Sequence, residues 1–286
     1  MGKVSFGIKT APHHTSYGAM LAVWKDAEKI PAIEHAWLFD HFAPIRGDLD
    51  GPCQEGWTTL AAFAAQTSRL RLGLMVTGNT YRHPAVLAHM AASVDIISNG
   101  RLDLGIGAGW NEYEHSSMGI PLHAPAERVH RLDEACEIIK RLFTQHLTTF
   151  DGRYYQLKEA RCEPKPVQKP HPPLVIGGGG EKLMLRVVAK HADIWNFLAG
   201  GAVEEYAHKL EVLQRHCADV GRDPADITLS IQPKALRDYD KLDETRRLVQ
   251  QFVDEGVTHV VLGLTPPYPE GIVQKIADEV IANVSA

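Results

Sequence analysis

This sequence has no long apolar run, no paired cysteines and no basic cluster. No apolar stretch reaches 18 residues, and the first ten residues, MGKVSFGIKT, contain no long apolar segment. Its four cysteines, Cys53, Cys136, Cys162 and Cys217, lack the CxxC spacing of zinc sites and disulfide frameworks. We therefore expect a cytoplasmic protein with reduced thiols and no membrane partner.

The charge balance points to a small-molecule partner. The formal net charge is -5 and the isoelectric point is near 6.3, which disfavours nucleic acid as the main partner. A hydrophobic content of 44% and a charged content of 23% are typical of globular proteins. Because barrels of 286 residues are common, we predict one domain over residues 1–286.

The most informative stretch is residues 174–196, in which an apolar segment, four glycines and an amphipathic helix follow one another. The glycines are Gly177, Gly178, Gly179 and Gly180. The first turn of a helix presents free N–H groups, and a loop without Cβ atoms lets a phosphate approach the backbone. The stretch therefore predicts an anion site, with a simple flexible turn as the alternative.

Apolar periodicity predicts eight strands that alternate with helices along the whole chain. The predicted strands are residues 4–8, 36–39, 70–76, 102–106, 174–176, 193–197, 227–231 and 257–262. This alternation favours a (β/α)8 TIM barrel, with a doubly wound open sheet as the alternative.

Two segments depart from this alternation. A long loop is predicted from the fourth strand to about Pro125. After this loop, Asp151-Gly152 between β-prone residues predicts a hairpin, and the five prolines in residues 164–173 predict a stiff connector. Together they form a predicted insertion at about 145–173, between strands four and five.

In a barrel, the loops that follow the strands open at one mouth, so polar residues distant in sequence become neighbours there. These residues are His13, His14, Asp40, His41, Thr77, Asn79, Trp110, Asn111 and the glycine loop. His41 could exchange a proton near neutral pH, and Asp40 could orient it or bind a ligand hydroxyl or ring N–H. Because adjacent strand residues point to opposite faces, a purely structural role for one of the pair is the alternative.

Other site classes match less well. Residues 105–109, GIGAG, do not form GxGxxG, and GGGGEK lacks the lysine and hydroxyl pair of a P-loop. His13 and His14 are adjacent rather than in HxH spacing, and the eighth strand ends without a carboxylate, so no metal site is predicted. Lys9 and Lys234 could form Schiff bases, although pairing or solvation is the plainer account.

Six segments together resemble one family. They are FDHF (39–42), LMVTGNTYRHP (74–84), GIGAGWNEYEH (105–115), FDGRYYQL (150–157), CEPKPVQKPHPPLVIGGGGEK (162–182) and ADIWN (192–196). In this order they resemble the coenzyme F-420 (F420)-dependent branch of the luciferase-like monooxygenase superfamily. The resemblance implies a (β/α)8 barrel with an insertion, usually dimeric, that binds a deazaflavin or FMN at its mouth.

The resemblance also implies roles for individual residues. It places the cofactor phosphate on Gly177 to Gly180, Asp40 near the ring, and His41 as acid or base. It implies a cis peptide bond at Met75–Val76. The expected cofactor contacts are Asp40, Met75, Val76, Thr77, Gly107, Asn111, Gly177, Gly178, Gly179 and Gly180, and the expected substrate pocket is His14, Phe42 and Trp110.

One departure limits the functional inference. Sugar-phosphate dehydrogenase relatives carry a catalytic glutamate where this chain has Trp110 followed by Asn111. Neither that activity nor that acid can be transferred. We therefore expect an oxidoreductase that moves hydride between F420 and a small, partly aromatic or apolar substrate. The alternatives are an FMN-dependent monooxygenase that uses O2 and a non-catalytic flavin-binding protein.

Overall fold

A computed structural model describes residues 3–200, 202–234, 236 and 238–285 of the chain. Its strands are β1 (Ser5–Thr10), β2 (His35–Leu38), β3 (Arg71–Leu74), β4 (Thr77–Gly78), β5 (Leu102–Gly107), β6 (Thr148–Asp151), β7 (Gln156–Ala160), β8 (Leu174–Gly177), β9 (Ile194–Ala199), β10 (Thr228–Pro233) and β11 (His259–Leu264). All pairings in the main sheet are parallel.

The helices are α1 (Tyr17–Glu28), α2 (Gly56–Ala64), α3 (Pro84–Ile97), α4 (Glu112–Met118), α5 (Pro125–Thr144), α6 (Met184–His191), α7 (Val203–Val220), α8 (Leu242–Asp254) and α9 (Ile272–Glu279). Local sequence sets several of their starts. The Ser16 hydroxyl accepts a hydrogen bond from Ala19 N–H at the start of α1, and Pro84 begins α3 as predicted. Across the described residues, none of the helices combines the length and apolar character needed to span a membrane.

The main sheet closes on itself. Its order is β3-β2-β1-β11-β10-β9-β8-β5, and β3 also pairs with β5. This confirms the (β/α)8 barrel and excludes an open doubly wound sheet. The prediction of one continuous third strand over residues 70–76 was wrong, because that strand stops at Leu74 and resumes as β4 at Thr77.

Alternation along each strand separates two apolar regions. The barrel interior is filled by Trp37, Met75, Val175, Ile194 and Val261. A larger core between barrel and helices takes the alternate residues, including Ile8, Leu38 and Trp195. The parity of a strand residue therefore decides whether it faces the interior or the helices.

The amino-terminal end of the barrel contains two histidines. The rings of His35 and His259 stack with centroids 3.9 Å apart and an interplanar angle of 8°. His35 Nδ1 accepts the indole N–H of Trp37, and Ser230 Oγ lies 2.8 Å from His259 Nδ1. Burial lowers the pKa of both imidazoles, to about 4 for His259. They are therefore held neutral at this end of the barrel.

A separate two-stranded antiparallel sheet, β6–β7, lies between the fourth and fifth barrel strands, where the insertion was predicted. The Glu134 carboxylate on α5 accepts the backbone N–H groups of Arg153, Tyr154 and Tyr155. The turn of the hairpin is thereby fastened to the outside of the barrel.

Candidate active site

The carboxyl ends of the barrel strands bring together aromatic and basic side chains. The Phe39 ring, just after β2, lies 4.9 Å from the His41 ring and 5.2 Å from the His13 ring, between centroids. The Trp110 ring, after β5, lies 5.7 Å from His41. Residues of three different loops therefore meet around His41.

His41 is held through one of its two ring nitrogens. Its Nδ1 lies 2.8 Å from Oε2 of Glu114, a carboxylate with no exposed surface. Glu114 also accepts the Tyr81 hydroxyl and the backbone N–H groups of Phe42 and Ala43. An ionised carboxylate only accepts hydrogen bonds, so Nδ1 carries the proton and Nε2 is left to exchange protons.

The ionisation of Glu114 follows from these bonds. Burial opposes its charged form, but the hydrogen bonds from His41 and Tyr81 outweigh burial and lower its pKa to about 2. Burial, and then the hydrogen bond to Glu114, raise the pKa of the Tyr81 phenol. Tyr81 therefore remains a donor, and Glu114 remains an anion, over the ordinary pH range.

Sequence reasoning missed Glu114 because it treated residues 107–125 as a loop, and that prediction was wrong. Helix α4 lies within this segment, with Asn111 as its N-cap and Gly119 in the left-handed conformation at its end. Asn111 Oδ1 accepts Glu114 N–H at 3.3 Å. An N-cap residue followed three positions later by glutamate is a helix-start signal that the sequence did contain.

Asp40, next to His41, points to the opposite face of the strand end. It is completely buried, accepts the Thr77 hydroxyl, and pairs with the Arg82 guanidinium. Burial raises its pKa even though Arg82 acts in the opposite direction. Trp57 Nε1 also donates to Thr77 Oγ1 at 3.2 Å. Asp40 and Thr77 thus belong to a network behind the mouth that fixes the ends of β2 and β4.

The Met75–Val76 peptide bond is cis, as the resemblance implied. The Val76 side chain lies over glycines of the two neighbouring strands. A Cβ added at Gly107 would stand 2.9 Å from Val76 Cγ2, and one at Gly177 would stand 3.2 Å from Val76 Cγ1. The absence of side chains at these glycines therefore leaves room for Val76, and Val76, Gly107 and Gly177 together form a shallow cradle, which suits the flat ring of a flavin or deazaflavin.

The glycine loop leaves backbone donors free. Gly178 adopts φ 140°, and its N–H donates to Asn196 O. Within the described part of the chain, the N–H groups of residues 179–184 have no backbone acceptor. Helix α6 starts at Met184, after a three-residue turn, and has no side-chain N-cap. A phosphate fits this arrangement of free donors at a helix start.

The three residues predicted for the substrate pocket lie in different surroundings. Trp110 is 59% exposed and borders His41. His14 is exposed and its Nε2–H donates to Arg46 O at 2.8 Å. Phe42 packs against Tyr81, with ring centroids 4.9 Å apart, and lies under the Arg82 guanidinium. Trp110 is the one of the three whose ring contacts the His41 ring.

Comparison with known proteins places this geometry in context. The sequence model of the family described as luciferase-like monooxygenase matches residues 4–276. An F420-dependent glucose-6-phosphate dehydrogenase of Kineococcus radiotolerans is 30% identical over 248 residues, which cover 85% of this chain and 72% of that protein.

Two solved structures share the fold. An F420-dependent secondary alcohol dehydrogenase, in complex with an F420-acetone adduct, superposes with a TM-score of 0.86 at 19% identity, covering 100% of both chains. A monooxygenase of Streptomyces bottropensis gives a TM-score of 0.77 at 20% identity, covering 98% of this chain and 100% of that one. At these identities the likeness extends to the fold alone.

Proposed function

The chain belongs to the luciferase-like monooxygenase family, and on that premise we propose that it moves a hydride between coenzyme F420 and a small organic substrate. The observation that carries the proposal is the His41–Glu114 pair at the glycine-lined mouth of the barrel. A base with a fixed tautomer, next to a cradle that suits a flat cofactor ring, fits a reaction that couples hydride and proton transfer.

When bound, F420 supplies the carbon that accepts or donates the hydride. The free N–H groups after Gly178 would hold its phosphate. Met75, Val76, Gly107 and Gly177 would support the ring. Asp40, Thr77 and Asn111 would hold the strand ends and α4 in place behind it.

His41 would manage the proton. If the substrate is an alcohol, its C–H bond breaks and the electron pair leaves with the hydrogen. The hydroxyl proton passes to His41 Nε2, and a carbonyl forms. The ionised Glu114, bonded to Nδ1–H, stabilises the imidazolium that results. In the reverse direction the same imidazolium returns the proton to the oxygen.

Trp110, largely exposed beside His41, would give the pocket an apolar wall, and His14 and Phe42 would shape its rim. These side chains favour a substrate with an apolar or aromatic part.

The second candidate is an FMN-dependent monooxygenase that uses O2, because a monooxygenase shares the fold. The cradle at Val76 suits the ring of either cofactor. Cofactor preference therefore separates the two candidates, and a non-catalytic flavin-binding protein would bind cofactor without turnover.

The experiment is a fluorescence titration of the apoprotein with F420 and, in parallel, with FMN. Gly180→Asp and Gly180→Asn form a matched pair, because they differ only in charge at an exposed loop glycine. Preferential binding of F420, weakened more by Gly180→Asp than by Gly180→Asn, supports the proposal. Preference for FMN would favour the monooxygenase, and binding of neither cofactor would refute the proposed site.

The homodimer and the cytoplasmic location implied by the resemblance and the composition are also part of the proposal. Helix α3 exposes Val86, Ile96 and Ile97, which a second copy could cover. Sedimentation equilibrium of the wild type and of Val86→Glu would test the dimer. A monomer at micromolar concentration would contradict it.

A further inference from the structure

Lys9 is a basic residue inside the barrel to which neither the resemblance nor the relatives give a role. Its neighbours in β1, Ile8 and Thr10, are completely buried and face the helices, whereas Lys9 faces the interior. Lys9 Nζ donates to Gln232 Oε1 at 2.9 Å and to Met75 O at 3.4 Å. The ammonium group therefore lies beside the cradle formed by Val76, Gly107 and Gly177.

The charge of Lys9 has no anionic partner in the described part of the chain. No carboxylate there lies within ion-pair distance of Nζ, and both hydrogen-bond acceptors are neutral. Burial, and then the nearby charge of Arg46, lower the pKa of Lys9 to about 8. Because cations withdrawn from water are normally paired, this arrangement suits a partner that is not part of the protein.

A hydride carries two electrons and one proton, so the ring that accepts it gains one negative charge. We propose that Lys9 stabilises this charge and so favours the reduced form of the bound cofactor over the oxidised form. This inference rests on the proposed function. The contact between Lys9 Nζ and Met75 O supports this proposal, because Met75 directly precedes Val76, which forms the cradle with Gly107 and Gly177.

A merely structural role makes a different prediction. If Lys9 only held the Met75 carbonyl and the Gln232 amide in place, a neutral donor of similar length could replace it. Lys9→Gln keeps a donor but loses the charge, and Lys9→Met loses both. An electrostatic role predicts that both variants change the relative affinity for oxidised and reduced F420. A positioning role predicts that Lys9→Gln keeps the relative affinity of the wild type.

The measured quantity is the ratio of the dissociation constants for oxidised and for reduced F420, obtained by anaerobic fluorescence titration without any substrate. We expect both Lys9 variants to lower the preference for reduced F420 at least tenfold. That change corresponds to about 30 mV for a two-electron couple. Lys25→Met, which removes an exposed charge from α1, should leave the ratio unchanged. Circular dichroism of each variant checks the fold.

Three outcomes would overturn the inference. An unchanged ratio in both Lys9 variants would refute it while leaving the proposed function intact. A ratio that changes in Lys9→Met but stays at the wild-type value in Lys9→Gln would assign Lys9 a positioning role instead. Failure of the wild type to bind F420 in either state would refute the proposed function and this inference together.

Discussion

Glu114 Oε2 lies 2.8 Å from His41 Nδ1, and this contact ties helix α4 to the end of β2. The same carboxylate binds a phenol and two backbone N–H groups, so the position of the imidazole is set by a buried anion. The contact fixes both the orientation of His41 and the nitrogen that carries its proton.

Glu114→Gln should reverse the tautomer of His41, because an amide can donate to Nδ1 where the carboxylate only accepts. We expect the proton to move to Nε2. With any substrate that the enzyme turns over, the rate should fall on the order of 10²- to 10⁴-fold, the usual contribution of general acid–base catalysis. Nitrogen-15 NMR of the imidazole measures the tautomer directly.

Glu112→Gln is the matched control, since Glu112 is exposed on the same helix. It should leave both the tautomer and the rate unchanged. A Glu114→Gln protein with the wild-type tautomer would contradict the assignment of the proton to Nδ1.

His259 should make the protein less stable in mild acid. Its folded pKa of about 4 is below its ordinary value of 6.5 because of burial and, next, the charge of Arg71. Between these two values the unfolded chain binds more protons, so stability is present above pH 6.5 and is lost as pH falls toward 4. The loss between pH 7 and pH 5 should be roughly 2 kcal/mol.

Urea unfolding at pH 7 and at pH 5 measures this loss. His259→Gln should reduce the pH dependence, with the remainder contributed by His35, whose pKa is also lowered. His146→Gln, at an exposed position, should not change it. An equal pH dependence in His259→Gln and in the wild type would show that His259 is not responsible.

Arg82→Met should strongly destabilise the fold, because it leaves the Asp40 carboxylate buried without its cation. The free energy of unfolding should fall by about 3–5 kcal/mol in denaturant titrations at neutral pH. Adding Asp40→Asn should restore part of the loss, since the second change removes the isolated charge.

The control for this prediction is Arg247→Met, because Arg247 pairs with Asp243 on the surface and its side chain is 70% exposed. Its effect should stay below about 1 kcal/mol. Equal losses from Arg82→Met and Arg247→Met would mean that the Asp40 pair contributes no more than a surface ion pair.

Gly107→Ala should weaken cofactor binding, because the new Cβ would stand 2.9 Å from Val76 Cγ2. The Val76 side chain would have to move, which would change the shape of the cradle. We expect the dissociation constant for F420 to rise about tenfold, which is about 1.4 kcal/mol. Fluorescence titration measures it. At Gly18, in α1, a Cβ would meet nothing within 4 Å, so Gly18→Ala should bind F420 like the wild type.

Much of the fold could be read from the sequence because its signals are local. The eight strands and their helices follow from apolar spacing over a few residues, and α7 (Val203–Val220) begins and ends where that spacing predicts. The break between β3 and β4 and the start of α4 left weaker signals: one lies within an apolar run, and the other depends on a single capping residue.

By itself, the sequence determined the class of the fold, the glycine loop and the family, because each of these follows from residues that lie close together in the chain. Only the tertiary structure decided that Glu114 holds His41, 73 residues away, that Asp40 faces the helices, and that Lys9 meets Gln232, 223 residues away. The physical reason is barrel closure. It brings together strand ends that are remote in the chain, and strand parity then decides which side chains face the mouth.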